Sequence, residues 1–218
     1  MEKLLNLMAN KTISLGGINF NGFSSSNNWI GYFEAKNISD ETMILKANEL
    51  IKKFFGEDLS GFFLLSSLTF DDGRGIDDYS NELINKLEKL YKEAKRDGFL
   101  IPYNGLMEEY YEADNFDEIL YPANLLNFTF DKDKFLSYCE LVMGYNKVFG
   151  EICFLINPNL SLLLYPHSEK GYGCISLSDD CSKAIEFLNF CSKDDKFEVV
   201  FSENINHLAA SKTMPKEC

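Results

Sequence analysis

Apolar positions crowd most densely between Phe149 and Glu203. Phe149–Asn157 (FGEICFLIN) is apolar without a break from Ile152 to Ile156. A strand with one wet face alternates apolar and polar residues. The unbroken run therefore predicts a strand covered on both faces, in the middle of a sheet. Asn157, Pro158 and Asn159 signal a turn, because Asn tolerates left-handed backbone and Pro fixes φ. Leu160–Tyr165 (LSLLLY) is a second apolar run, so the pair reads as a β-hairpin. Pro166 is expected to end it, since Pro has no N–H for a ladder. After the polar loop 167–171, Tyr172–Leu177 (YGCISL) reads as a third strand. Ser178 reads as the N-cap of a helix with Asp179 and Asp180 in its first turn, where the helix dipole favours negative charge. Cys181, Ala184, Ile185, Leu188 and Cys191 recur at helical spacing and share one face. Phe197, Val199 and Phe201 then alternate as a closing strand. The stretch is a β-hairpin–β–α–β unit, and its helix can bury an apolar stripe only by lying across the sheet.

The rest of the chain mixes both periods. Residues 16–28 are rich in Gly, Asn and Ser and read as a loop or irregular hairpin. Residues 27–35, with Trp29, Ile30, Tyr32 and Phe33, suit a strand. Ser39 opens a helix whose apolar face is Met43, Ala47, Leu50, Ile51 and Phe54, with Gly56 closing it. Residues 61–70 (GFFLLSSLTF) form another strand. A helix follows over about 78–97, with Leu83, Leu87, Leu90 and Ala94 on one side and Glu82–Lys86 and Glu88–Lys92 paired on the other. Gly98 ends it. Residues 124–130 (NLLNFTF) alternate as a strand. Asp131 caps a helix to about Gly144, with Phe135, Cys139 and Val142 inward. Strands and helices do not alternate strictly, so the fold class is α+β: a mainly antiparallel sheet with helices packed on it. The chain reads as one domain over 1–218. Two lobes, 1–98 and 124–218, are the alternative, with the acidic stretch 99–123 joining them around a short helix at 106–113.

Composition narrows the function. The chain has 218 residues, enough for a substantial core, which its 19 Phe and 11 Tyr help to supply. No run approaches the roughly 20 apolar residues that cross a bilayer. The apolar patch in MEKLLNLMANK is too short for a secretory signal, so a cytoplasmic location is expected. Six Cys (139, 153, 174, 181, 191, 218) include no CxxC pair, and they read as reduced, buried small hydrophobes. Asp and Glu number 34 against 21 Lys and Arg, a formal charge of −13. Phosphate backbones repel such a surface, which argues against direct nucleic-acid binding, and a basic protein is drawn to it.

Three groups carry candidate chemistry. Asp71–Asp78 (DDGRGIDD) joins a strand to a helix, and four carboxylates beside glycines suit a divalent cation. It lacks the GK[ST] of a phosphate loop and the ligand spacing of an EF-hand, and a solvated turn accounts for it. His167 and His207 have no spacing that builds a zinc site. His167 lies beside Ser168 and Glu169, without a nucleophile elbow elsewhere. Glu108, Glu109, Tyr110, Tyr111, Glu112 and Asp114 interleave carboxylates with rings, which is what an interface for a basic protein uses: rings as anchors, carboxylates for steering. Asp71 and Asp72 join that expected interface. No catalytic, cofactor-binding or metal-binding residue is assigned.

In this general character, small, acidic, rich in Phe and Asn, and α+β, the whole chain resembles immunity proteins of bacterial toxin systems such as contact-dependent inhibition. The resemblance implies a non-enzymatic protein that neutralises a cognate basic toxin, a nuclease for example, by direct binding. The alternative is a metal-dependent hydrolase or transferase built on Asp71–Asp78.

Overall fold

A computed structural model describes residues 16–19, 22–75, 78–103, 127–129, 131–203 and 205. Its elements are β1 (Trp29–Ala35), α1 (Thr42–Phe55), β2 (Phe63–Phe70), α2 (Asn81–Arg96), β3 (Leu100–Pro102), β4 (Asn127–Thr129), α3 (Lys132–Gly144), β5 (Val148–Asn157), β6 (Leu162–His167), β7 (Gly171–Ser176), α4 (Ser182–Cys191) and β8 (Phe197–Phe201). All eight strands belong to one sheet, in the order β3-β2-β5-β6-β7-β1-β8, with β4 also pairing on β2. The β2–β3 pair is parallel and every other pair is antiparallel. The fold is therefore α+β, with the β-hairpin–β–α–β unit at its C-terminal side. Strands from the first half of the chain sit among those of the second: β1 lies between β7 and β8, and β2 lies beside β5.

The unbroken apolar run in β5 has the physical cause inferred for it. Cys153 and Leu155 point into the core shared with the helices, while Ile152, Phe154 and Ile156 point into a second apolar cluster on the opposite face. A strand with no wet face has no reason to alternate. The helices supply the first core with Ile44, Ala47 and Ile51 of α1, Leu87 and Ala94 of α2, Phe135 and Cys139 of α3, and Phe187 and Leu188 of α4. Leu163, Tyr165 and Ile175 continue the second cluster, and Ile18, Phe23 and Trp29 pack on it.

Helix ends follow local chemistry. Gly56 closes α1 at φ +50. After α2, Gly98 takes φ +71; its N–H reaches the Lys95 carbonyl and the Phe99 N–H reaches the Ala94 carbonyl, a Schellman closure that glycine enters without Cβ strain. Ser80 caps α2 by accepting from the Leu83 N–H.

Four local expectations are corrected. Pro166 does not end β6, which runs on to His167. Its pairing with β5 stops at Leu164, so Pro166 lies where the strand has β7 as its single ladder partner and the missing N–H costs little. Ser178 does not cap α4, which starts four residues later, at Ser182, with the Asp180 carboxylate accepting from the Ser182 N–H at 3.0 Å. The Ser176 hydroxyl, 2.8 Å from the Ser178 carbonyl and 3.0 Å from that of Asp180, holds 178–180 in a bend. Lys86 does not turn to Glu82; it reaches the buried Glu140 of α3 at 2.5 Å. Residues 99–123 do not begin as a linker, because Phe99 and Leu100 are buried and Leu100–Pro102 is the parallel strand β3. The expected helix at 106–113, His207 and Cys218 lie outside the described residues.

A polar network crosses the helix-side core. The Tyr172 hydroxyl donates to Asn48 Oδ1, and Asn48 Nδ2 donates to the Leu136 carbonyl at 2.9 Å and to Glu140 Oε1 at 3.2 Å. Tyr172, Asn48 and Glu140 are all buried. The network ties α1 to α3 and both to β7, and Lys86 extends it to α2. Among the described cysteines, Cys139, Cys153, Cys174 and Cys191 are buried, Cys181 is half-buried, and all five are free thiols. Among the described residues no helix is long and apolar enough to cross a membrane.

Candidate functional site

A cleft of about 430 Å³ opens on the sheet face away from the helices, lined by Phe23, Ser24, Trp29, Tyr32, Glu34, Tyr165, His167 and Glu169. Two local features of the sequence build it. The first is a bulge in β1, where the register with β7 passes from Trp29↔Ile175 to Gly31↔Cys174. The extra residue reverses the side-chain parity. Without it Trp29 would share a face with Phe33 and Ala35, which are buried under the helices. With it Trp29 joins Tyr32 and Glu34 on the cleft side. Gly31 makes the bulge possible: it sits at φ +146, and a Cβ there would lie 2.1 Å from the Val200 carbonyl oxygen of β8.

The second feature is a pair of glycines in β7. Gly173 pairs with Tyr32 on one side and Tyr165 on the other, and Gly171 pairs with His167. Neither puts a side chain between β1 and β6, so the Tyr165 ring leans over Gly173 and the trough of the cleft runs beside that ring. A Cβ on Gly173 would lie 2.0 Å from the Tyr165 ring, and one on Gly171 would lie 1.8 Å from the Phe33 carbonyl oxygen. The Tyr165 ring occupies space that any other residue at 173 would fill.

Rings form the walls. Trp29 Nε1 donates to the Tyr165 hydroxyl at 2.9 Å. Phe23 packs on Tyr165 with centroids 4.7 Å apart, and Tyr32 lies 6.2 Å from Trp29. Burial pushes the Tyr165 hydroxyl up to about 12, so it stays protonated at neutral pH. Carboxylates form one end. Glu34 of β1 lies directly opposite Glu198 of β8, and like charges placed so repel. Burial raises the Glu34 pKa, and Glu169 and Glu198 raise it further. Tyr32 is raised by burial first, then by the same three carboxylates. No lysine or arginine is among the described residues lining the cleft, and neither Glu34 nor Glu198 forms an ion pair with a described residue.

Comparison with protein-family models, with curated proteins and with solved structures finds no match to this chain. Its site therefore has to be read from its own geometry.

Of the candidate residues named from the sequence, His167 and its neighbour Glu169 lie in the cleft. The His167 Nε2 is 3.1 Å from the Phe33 carbonyl oxygen and its Nδ1 is 3.1 Å from Glu169 Oε2. The Ser168 hydroxyl donates to the same Glu169 oxygen. The imidazole thus braces the β6–β7 turn against β1, and neither ring nitrogen is aimed at a free nucleophile. Asp71 and Asp72 lie elsewhere. Asp72 accepts from the Tyr91 hydroxyl at 2.7 Å and from Lys95 Nζ at 2.8 Å. Asp71 accepts from the Gly73 N–H at 2.8 Å and lies 3.8 Å from Arg74. Asp71 is thus engaged by its own turn and Asp72 by α2. No group of three or more candidate metal ligands occurs among the described residues. Glu108, Glu109, Tyr110, Tyr111, Glu112 and Asp114 lie outside the described residues.

The cleft carried a sequence signal that charge-based reading passes over. Gly-Tyr-Gly inside an apolar strand puts glycine at alternate positions, hence on one face, and a face without side chains lets a neighbouring ring lean across it.

His167 also makes the fold sensitive to acid. Burial lowers its pKa more than Glu169 and the Phe33 carbonyl raise it. The folded chain therefore binds that proton less readily than the unfolded chain, whose His titrates near pH 6.5. Stability should fall as pH drops through 6.5 towards the lowered folded value. Glu169, whose pKa is lowered by its hydrogen bonds and by His167 against the effect of burial, loses its stabilising contribution only further into the acid range. Glu34, raised, acts in the opposite sense and gains from protonation. Urea midpoints at pH 7.5 and pH 5.5 should show a smaller drop for His167→Gln than for the unmodified chain; an equal drop would remove His167 as its source.

Proposed function

We propose that this is a non-enzymatic binding protein that neutralises a basic partner, an immunity protein whose cognate toxin is a nuclease or a similarly basic enzyme. The observation that carries the reading is the cleft, concave and walled by aromatic rings, with Glu34 and Glu169 at one end, Glu198 on the strand beside Glu34, and no lysine or arginine among its described lining residues. The formal charge of −13 supports it from the scale of the whole molecule. Nuclease sites are basic because they hold phosphate, and an acidic partner covers such a site at an electrostatically steered rate. The reading places the protein in the cytoplasm of a bacterium, with the segment Glu108–Asp114 as a further part of the interface.

The test is co-expression with the basic product of the neighbouring gene, followed by size-exclusion chromatography. Co-elution that weakens as salt rises is the expected result, because steering between exposed charges is screened. Charge reversal of Glu34 and Glu169 should weaken the complex at least tenfold. Reversal at Glu108, Glu109 and Glu112 tests the second segment separately. Failure to co-elute with any basic protein of the genomic neighbourhood would remove the proposal.

A further inference from the structure

We propose that the cleft is an arginine-binding site that receives one guanidinium side chain of the partner protein. The inference rests on the reading of the chain as a binder of a basic protein, and it names the chemical group bound. Three features suit a planar cation, the first two of them selecting for it. The walls are π faces: Trp29 and Tyr32 stand beside each other on β1, and both are partly exposed. Guanidinium stacks on such faces and keeps its N–H edge free for carboxylates. Glu34 and Glu169 lie at the end of the same trough, and the repulsion among Glu34, Glu169 and Glu198 is relieved by an incoming positive charge. The cleft, about 430 Å³ in volume, has room for one long, thin side chain. Arginine meets all three demands. A sugar would use the rings and leave the carboxylate repulsion in place, and lysine would use the carboxylates and present no flat face to the rings.

The chain supplies its own reporter. Trp29 is the single tryptophan in the sequence, and it forms a wall of the cleft, so emission excited beyond the absorption of the 11 tyrosines reads this site alone. The full chain is titrated with the end-blocked peptide Gly-Arg-Gly and, in parallel, with the same peptide carrying citrulline, which is nearly isosteric and uncharged. The expected result is a saturable change in Trp29 emission with a dissociation constant on the order of 1 mM, the range open to one side chain, and binding at least tenfold weaker for citrulline. The Glu34→Gln/Glu169→Gln double variant should weaken the arginine peptide at least tenfold, and Gly173→Ala, which forces the Tyr165 ring out into the trough, should do the same. The inference is overturned if citrulline binds as well as arginine, if a neutral disaccharide such as cellobiose saturates the signal where arginine does not, or if no saturable change occurs with the unmodified chain. The two comparisons on the unmodified chain hold even where a variant fails to fold. Loss of the peptide signal with co-elution of the basic partner intact removes the cleft assignment and leaves the neutralising function standing. Arginine-selective binding in a chain that co-elutes with no basic protein supports the site and removes the function.

Discussion

Gly31→Ala is expected to cost roughly 3 kcal/mol or more, read as a fall in the urea midpoint at unchanged slope. Two effects add. At φ +146 an L-residue is strained wherever it is placed, and here the new methyl would also lie 2.1 Å from the Val200 carbonyl oxygen and 2.9 Å from Phe201 Cα. Neither contact is with the end of a flexible side chain, so β8 would have to move as a strand. Gly56→Ala is the control: φ is +50 and nothing lies within 4 Å of the added Cβ, so only the conformational cost of about 1 kcal/mol remains. Gly31→Ala should also shift Trp29 emission under native conditions, because the bulge is what turns that ring towards Tyr165. A midpoint like that of Gly56→Ala would show that β8 yields without loss.

Asn48→Ala is the second large effect, expected at about 3–5 kcal/mol. One side chain serves three partners, all of them in buried residues. Its removal takes the acceptor from the Tyr172 hydroxyl and a donor from both the Leu136 carbonyl and Glu140. Glu140 is then a carboxylate only 6% exposed that depends on Lys86. Tyr172→Phe removes one bond from the same network while keeping the ring, and should cost about 1 kcal/mol. The ratio between the two variants, measured by chemical denaturation, separates a shared network from independent bonds; equal effects would mean that Asn48 acts through Tyr172 alone.

Elements dominated by one repeating signal could be located from the sequence. The central strand β5 announced itself by apolar residues on both faces, and α1 and α2 by their apolar faces and by Gly56 and Gly98 after them. Boundaries slipped where a side chain several residues away decides the matter. Ser176, not Ser178, organises the bend before α4, and the side of β6 on which Pro166 lacks its N–H depends on which neighbour is paired there. The cleft was harder to find for a related reason. It is assembled from Phe23, from β1, from the end of β6 and from the turn after it, so no contiguous motif marks it. Acidic runs such as Asp71–Asp78 attract attention because they are contiguous, yet Asp72 is engaged by Tyr91 and Lys95, which only the packing of α2 brings close. A one-residue bulge cannot be read from alternation, and the face that Trp29 occupies depends on it entirely.

The position of β1 has a consequence for how the chain reaches its native state. Phe33 pairs with Tyr172 on one edge and Val199 on the other, so the earliest described strand to leave the ribosome is among the last to find its neighbours. Throughout synthesis its amide groups wait while β2 and α2 are made and pack locally. Sequence-distant pairing of this kind slows the search and exposes an unpaired strand to other nascent chains. Truncation before β8 should therefore yield aggregation rather than a shortened soluble product.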